Sequence, residues 1–167
     1  MDVDKDLDIR YSKLEDVVYL KSWLKNDFFY YPISNNKEID SFAKNWVGFH
    51  KFYASLTATY KNKPIGIATL FLMPYIKIAH QCWFYMAVAK NFRRQQVGDA
   101  LLKNLLHLIR TKFRLEILGC ETYSEDCPLI PLLKKYQFQP VFTQQNYVKQ
   151  QNHYHCRTVW ERRIDRH

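Results

Sequence analysis

Glycine and proline are scarce in this 167-residue sequence, with 4 and 6 residues respectively. Few glycines exclude collagen-like repeats, and 47% hydrophobic with 16% aromatic residues excludes a disordered chain. No apolar run reaches the roughly 20 residues that a bilayer span needs, since the longest one, residues 65–76, contains Pro74. The length fits one ordinary domain with a single core.

Cysteines are few and form no C-x-x-C pair: they are Cys82, Cys120, Cys127 and Cys156. At this chain length the pattern predicts reduced thiols in a cytoplasmic protein rather than a disulfide scaffold. Residues 1–8 are acidic and lack the apolar segment of a secretory signal. We therefore expect an acidic tail over residues 1–6 and a single domain over residues 7–167.

Acidic residues are outnumbered, with 16 Asp and Glu against 25 Lys and Arg, and the formal net charge is +9. This excess favours an anionic partner, such as a nucleotide, a phosphorylated cofactor, nucleic acid or an anionic membrane surface. The charge alone does not choose among them.

Four helices are indicated by apolar residues at three- and four-residue spacing. Ser12 and Glu15 predict a capping box before the first helix, whose apolar face comprises Leu14, Val17, Val18 and Leu24. A second helix is predicted over residues 37–50 and a long third helix from near Gly98. A short fourth helix over residues 125–136 contains Pro131, which we expect to make it irregular.

Seven strands are indicated by β-branched and aromatic segments between turn signals. They cover residues 7–11, 52–60, 64–72, 81–89, 115–123, 139–148 and 154–164. The fourth and fifth strands flank the long helix, so they form a parallel crossover inside an otherwise antiparallel sheet.

The most informative segment is residues 88–102, where a buried strand runs into a basic loop and then into a helix. The first N–H groups of a helix and its dipole form an anion site. Arg93 and Arg94 add donors that suit phosphate, and Gly98 lets the backbone approach a ligand. A basic surface loop before an ordinary helix explains the same pattern. Neither a Walker P-loop nor a G-x-G-x-x-G fingerprint is present.

This segment resembles the acetyl-CoA loop of the GNAT N-acetyltransferase superfamily, V-x-P-x-x-R-x-x-G-x-G-x-x-L-L. The matching positions are Val88, Arg93, Gly98, Leu101 and Leu102. Lys90 replaces the usual Pro, and Gln96 replaces the first Gly. A register beginning at Gln95 satisfies a looser form of the motif but fits the flanking residues less well.

A second block supports the resemblance. Residues 120–126 are similar to the family's L-E-V-Y-x-x-N, and residues 129–138 to A-x-x-L-Y-x-x-x-G-F. Asp126 stands in place of Asn, Leu133 in place of Tyr and Gln137 in place of Gly. The resemblance implies an α/β (α+β) fold with a mixed, mostly antiparallel sheet of about six or seven strands. Its central parallel pair is splayed, and about four helices flank it.

The resemblance also implies acetyl-CoA as co-substrate, without a metal. Its pantetheine arm would pair with the backbone of Met86, Ala87 and Val88. Its pyrophosphate would lie on the loop of Arg93, Arg94, Gln95, Gln96, Val97, Gly98, Asp99 and Ala100. Asp126 is a further candidate for cofactor binding. The acetyl group would pass to a primary amine of a small molecule or a protein.

Catalytic candidates are harder to choose, because Leu133 occupies the position of the Tyr that acts as the general acid in the family. Tyr136, three residues later, is the replacement candidate, and a packing role is the alternative. Glu121 is the candidate base, acting through water, and a solvent-facing or Lys-paired Glu is the alternative. Tyr85 and His80 are weaker candidates.

Other patterns favour simpler explanations. Cys127 lies near a helix start, but no His can be placed beside it as a partner. His153, His155 and Cys156 lack a further ligand pair for a metal. Arg157, Arg162, Arg163 and Arg166 form a basic stretch that is typical of a solvated strand face. Residues 28–31 break the helical spacing of the aromatics and could line an acceptor cleft.

Two alternatives to an enzyme stay open. Gln96, Leu133 and Gln137 are compatible with a GNAT-fold module that binds acyl-CoA or a partner without turnover. The charge and the aromatics are compatible with nucleic-acid binding, although no motif for it is present. A homodimer is also left open, and no membrane partner is indicated.

Overall fold

The structure is a computed structural model that describes residues 5–27 and 30–165. Its strands are β1 (Leu7–Tyr11), β2 (Ser55–Tyr60), β3 (Lys63–Leu72), β4 (Gln81–Val88), β5 (Ile117–Thr122), β6 (Gln139–Gln150) and β7 (His153–Arg163). Its α-helices are α1 (Val17–Asp27), α2 (Asn36–Gly48), α3 (Val97–Lys112) and α4 (Ile130–Lys135). Residues 1–4 of the predicted acidic tail, Phe28 and Phe29 of the aromatic segment, and Arg166 lie outside the described residues.

The seven strands form one sheet in the order β1-β2-β3-β4-β5-β7-β6. Every neighbouring pair is antiparallel except β4 and β5, which α3 connects as a crossover. The predicted mixed, mostly antiparallel sheet with one central parallel pair is confirmed.

The sheet is covered by helices on both faces. One core combines the even-numbered side chains of β4, such as Phe84 and Met86, with the buried face of α3 and with Leu133 of α4. The other core packs α1 and α2 against Ile67 and Ala87. Successive strand residues point to opposite faces. On β4 and β5, even-numbered side chains therefore face α3, and odd-numbered side chains face α1 and α2.

The predicted entry to the first helix is wrong in detail. Ser12 does not cap it: the hydroxyl of Ser12 lies 2.8 Å from those of Ser55 and Thr57. Instead, the N–H of Lys13 donates to Asp16 over 2.9 Å, and a single 3-10 turn, Leu14–Asp16, precedes α1. That turn shifts the helical phase, which leaves Leu14 and Val18 exposed by 57% and 67%. The buried face of α1 is formed by Leu20, Trp23, Leu24 and Asp27.

The fourth helix is shorter than predicted, since it begins at Ile130 rather than near residue 125. Pro131 therefore lies in the first turn, where the missing N–H has no helical partner to lose. The expected irregularity is absent for this reason.

No helix within the described residues is both long and apolar enough to cross a membrane. All four cysteines lie in the described part of the chain and are free thiols.

Candidate active site

The parallel strands β4 and β5 pair only at their beginnings. The paired positions are Gln81 with Ile117, Cys82 with Leu118 and Trp83 with Gly119. Gly119 lets the indole of Trp83 lie close: a Cβ on Gly119 would approach a ring carbon to 3.1 Å. Beyond this point the strands separate, so the predicted splay is present and residues 84–88 face a gap.

The register of β3 and β4 tells which main-chain groups face that gap. In an antiparallel pair, residues alternate between bonding to the partner and facing away. The N–H of Ala89 donates to the carbonyl of Ile65 over 2.8 Å, and this pair continues the series that joins Ile67 to Ala87. The odd-numbered residues of β4 thus bond to β3, and the N–H and C=O groups of Met86 and Val88 point into the gap.

Both of these carbonyls have partners from outside the sheet. The hydroxyl of Tyr31 donates to the Met86 carbonyl over 3.1 Å. The Nε of Arg93 donates to the Val88 carbonyl, also over 3.1 Å. The N–H groups of Met86 and Val88 are left without a strand partner on the gap side.

Arg93 is held by Asp27 rather than presented to solvent. Its two terminal nitrogens donate to the two carboxylate oxygens of Asp27, which is buried at the end of α1. With the bond to Val88, three of the five guanidinium N–H groups are used. The proposed phosphate contact of Arg93 therefore depends on the two N–H groups that remain.

The loop that follows combines exposed charge with left-handed backbone. Arg94 is exposed and has φ of 60°, and Gln96 has φ of 62°. The amide of Gln95 donates to the Asn91 carbonyl over 2.9 Å, whereas its buried Oε1 has no hydrogen-bond partner among the residues that the structure describes. The residues of the predicted cofactor loop thus differ in how accessible their side chains are to a ligand. Arg94 is exposed, whereas Arg93 is bound to Asp27 and the Gln95 amide to Asn91.

The first N–H groups of α3 have no partner within the helix. Gln96 is the N-cap residue and makes no side-chain cap bond, and the first helical bond runs from Ala100 to its carbonyl over 2.9 Å. The N–H groups of Val97, Gly98 and Asp99 have no helical partner. A Cβ on Gly98 would meet Leu132 and Met86 only at ordinary contact distances of 3.5 and 3.7 Å. Packing therefore does not require glycine there.

The two glutamines that replace family glycines both lie at left-handed positions. Gln96 and Gln137 each have φ of 62°. Glycine adopts this conformation without steric cost, whereas another L-residue is penalised. Both glutamines thus adopt a backbone conformation that glycine would take without steric cost.

Replacing Gln96 by Gly is expected to stabilise the fold by about 0.5–1 kcal/mol, because a left-handed strain of about 1–2 kcal/mol is partly offset by unfolded-chain entropy. It also removes a side chain beside the helix N-terminus, so we expect tighter binding of CoA, the cofactor that the family resemblance implies. Gln137→Gly is the matched control and should change stability alone. Urea unfolding measures the change in stability, and calorimetric titration measures the Kd for CoA. Weaker CoA binding by Gln96→Gly would mean that the Gln96 side chain itself contacts the cofactor.

Glu121 lies at the centre of a polar network on the α1 and α2 face of β5. Its neighbours Cys120 and Thr122 point to the opposite face, where Cys120 joins the α3 core. One carboxylate oxygen accepts from the Nε of Arg157 over 2.8 Å and from a terminal nitrogen of the same residue. The other accepts from Tyr85 over 3.1 Å and from Tyr123. The Glu121 and Arg157 side chains are 11% and 20% exposed.

This network bridges the splay. Tyr85 on β4 and Glu121 on β5 each lie two residues past the last paired positions, Trp83 and Gly119. Burial and then the charge of Glu121 raise the pKa of Tyr85, and burial with the neighbouring Tyr85 and Glu121 raises the pKa of Tyr123. Both hydroxyls therefore stay protonated as donors at neutral pH.

Arg157 also forms the floor of an aromatic surface. Its guanidinium carbon lies 5.0 Å from the ring centroid of Tyr147 and 5.7 Å from that of Phe142. Tyr147 in turn stacks on Tyr123 at 6.1 Å. The face beside Glu121 is thus aromatic, and the ion pair neutralises its acidic charge.

Tyr136, the second predicted catalytic residue, lies on the other side of the sheet. It packs against the α3 core, and its hydroxyl donates to the Asp99 carbonyl over 3.3 Å. Burial raises the pKa of Tyr136, followed by the charge of Asp99. Leu133, at the position of the family's Tyr, is fully buried. The structure therefore does not bring Tyr136 and Glu121 together.

The remaining candidates are dispersed. Asp126 is exposed and accepts from the Ser124 hydroxyl. Burial raises the pKa of Cys127, which makes it a poor nucleophile. His80 forms main-chain bonds at the start of β5. Across the described residues, no group of three or more His, Cys, Asp or Glu is placed to hold a metal ion.

Sequence reasoning missed Asp27, Tyr123 and Arg157 as parts of the site, and it placed Tyr31 only in a segment that could line an acceptor cleft. The contacts of Tyr31, Asp27 and Arg157 span 36 to 66 residues of sequence, whereas Tyr123 lies two residues from Glu121. The separation of Glu121 and Tyr123 by two strand positions was a usable signal, since it places both side chains on one face.

The fold is similar to those of solved acetyltransferases. The putative acetyltransferase yncA from Salmonella typhimurium, solved with its cofactor acetyl-CoA, has a TM-score of 0.81 at 13% identity, over 97% of this chain and 96% of that chain. The N-acetyltransferase from Staphylococcus aureus Mu50 has a TM-score of 0.79 at 14% identity, over 95% and 99%. Ribosomal-protein-alanine N-acetyltransferase from Brucella melitensis has a TM-score of 0.77 at 15% identity, over 93% and 99%.

These identities show the fold alone, and the sequence itself shows the family. Residues 17–138 match the Acetyltransferase (GNAT) family, and the chain belongs to that family. A search of the curated proteins found no match.

Proposed function

We propose that this chain transfers an acetyl group from acetyl-CoA to a primary amine by direct attack of the amine. The edge of β4 that is left unpaired in the splay, next to the start of α3, carries the proposal. An extended molecule with amide groups can pair with such an edge as an added strand. The family and the fold support acetyl transfer.

The residues of the gap fit the cofactor. The free N–H groups of Met86 and Val88 suit the pantetheine amides, and those of Val97, Gly98 and Asp99 suit a pyrophosphate. Arg94 is the exposed cation that would accompany them. When bound, acetyl-CoA supplies an acetyl group activated as a thioester.

We propose that Glu121 accepts the proton that the amine must lose. An alkylammonium has a pKa near 10.4, so the site must take up a proton before or during attack. Because its four hydrogen bonds leave little direct access, Glu121 would act through water or through the hydroxyl of Tyr85 or Tyr123. Tyr136 stays a second candidate as a proton donor.

A module that binds acyl-CoA without turnover is the second candidate function. The buried Leu133 favours it, since no hydroxyl occupies the position of the family's acid. The acceptor class, the homodimer and the cytoplasmic location also stay predictions. A panel of amines that includes amino acids, polyamines and an N-terminal peptide would separate the enzyme from the module.

The first experiment is a thermal shift with CoA on the wild-type protein, Arg94→Ala and Arg114→Ala. A ligand at 100 times its Kd adds roughly 2.7 kcal/mol, so we expect a rise of several degrees for the wild type. Arg94→Ala should lose much of that rise, because it removes the exposed cation beside the helix start.

Arg114→Ala is the matched control, because Arg114 is also exposed but follows the opposite end of α3. Its shift should equal that of the wild type. Arg93→Ala is unsuitable, since it also breaks the ion pair with Asp27. The absence of a shift at millimolar CoA in the wild type would contradict the proposed function.

A further inference from the structure

We propose that Tyr31 competes with the cofactor for the main-chain carbonyl of Met86 and thereby sets the affinity of the free protein for acetyl-CoA. This inference rests on the proposed function, because it concerns the same gap between β4 and β5. It assigns to the connection between α1 and α2 an effect on cofactor binding.

The position of Tyr31 follows from one hydrogen bond and from ring packing. Its hydroxyl lies 3.1 Å from the Met86 carbonyl, which points into the gap. Its ring packs at 6.0 Å from that of Phe42 and 6.1 Å from that of Trp46, both on α2. The hydroxyl thus occupies an acceptor that an added strand would need.

The second gap-facing carbonyl is occupied from the same side. Val88 accepts from Arg93, which the carboxylate of Asp27 holds at the end of α1. Hydrogen bonds to charged groups are roughly twice as strong as neutral ones, and the ion pair keeps the guanidinium in place. The bond from Tyr31 is neutral and single. A ligand that enters the gap should therefore displace Tyr31 and leave Arg93.

Tyr31→Phe separates competition from direct contact by the sign of its effect. The variant keeps the ring packing but leaves the Met86 carbonyl free, so CoA no longer has to displace a bond. One neutral hydrogen bond corresponds to a change of about five-fold. We expect the Kd for CoA, measured by calorimetry, to fall about five-fold in Tyr31→Phe. A hydroxyl that binds CoA directly would instead raise the Kd on its removal.

A CoA fragment without the pantetheine arm localises the effect. Adenosine 3′-phosphate 5′-diphosphate should bind the loop and the start of α3 but leave the gap empty. Its Kd should be equal for the wild type and Tyr31→Phe. Tyr19→Phe is the matched control variant, because Tyr19 lies in the same helical layer and packs on Trp23. Its affinity for CoA should equal that of the wild type.

Thermal unfolding gives a second readout that needs no turnover. Free Tyr31→Phe should melt at a lower temperature than the wild type, because the Met86 carbonyl loses its partner. Saturating CoA should reduce this difference, since the cofactor then bonds that carbonyl in both proteins. If CoA binds the wild type but Tyr31→Phe binds it equally or more weakly, this inference alone is overturned. If the wild type binds neither CoA nor the fragment, the proposed function fails as well.

Discussion

Glu121→Gln is expected to lower kcat/KM for an amine acceptor about 100-fold, the lower end of the range for loss of a general base. The substitution keeps the shape of the side chain but removes the charge that would take up the amine's proton. It also leaves Arg157 without its ion-pair partner at 20% exposure. Stability should therefore fall by about 2 kcal/mol, less than for a fully buried pair.

Arg157→Met separates the chemical effect from the structural one. It breaks the same ion pair and keeps an aliphatic chain against Phe142 and Tyr147, but the carboxylate of Glu121 remains with its two tyrosine donors. We expect a similar loss of stability in urea and a kcat/KM within about tenfold of the wild type. Equal losses of kcat/KM in both variants would show that the network is structural and that Glu121 is not the base.

Asp16→Asn should produce the largest loss of stability, about 3 kcal/mol at pH 7, since it breaks an ion pair whose carboxylate is only 4% exposed. Asp16 accepts from both terminal nitrogens of Arg10 at 2.8 Å and from the N–H of Lys13 at 2.9 Å. The hydroxyl of Thr57 donates to it over 2.8 Å. An Asn amide cannot accept all of these bonds.

A chain of buried hydroxyls increases the dependence on Asp16. The members are Ser12, Ser55, Thr57 and Thr69, with contacts of 2.6 to 2.8 Å. Each hydroxyl has one proton to donate, and Thr57 gives its proton to Asp16. The donors therefore all point the same way along the series. Thr69 donates to Ser55, Ser55 to Ser12, and Ser12 to Thr57, which donates to Asp16. Loss of the final acceptor affects every bond in this series.

The effect of Asp16 should depend on pH with a defined sign. Burial alone would raise its pKa, but the bonds from Arg10, Lys13 and Thr57 lower it below the ordinary value of 3.8. The stabilisation is therefore present above about pH 4 and is lost as the pH falls through the folded pKa. The free energies of unfolding of the wild type and Asp16→Asn, measured in urea, should therefore become more similar as the pH is lowered.

Asp40→Asn is the matched control for Asp16. Asp40, whose side chain is 43% exposed, pairs with Lys21 and Lys44, and their hydrogen bonds lower its pKa to about 2. Solvent screens such a pair, so its loss should change stability little. A drop as large as that of Asp16→Asn would show that surface charge, rather than burial, determines the effect.

Local signals in the sequence predicted the order of the strands and helices, and the family resemblance added the splayed parallel pair. Alternation placed β1 at its observed bounds, and the apolar run at residues 81–89 with the long helix after it predicted the parallel crossover. The predicted capping box was wrong, because tertiary contacts competed with the local sequence signal. Ser12 has the residue type of a cap, but its hydroxyl is used by Ser55 and Thr57 of the neighbouring strand.

The candidate site divides in the same way. Residues 88–102 determined by themselves that a basic loop would precede a helix, because charge, strand and helix signals are local. Only the tertiary structure decided that Arg93 binds Asp27, that Tyr31 reaches Met86 and that Glu121 meets Arg157. These pairs lie 66, 55 and 36 residues apart. Whether two such side chains meet depends on how the sheet twists and splays, and no local spacing contains that information.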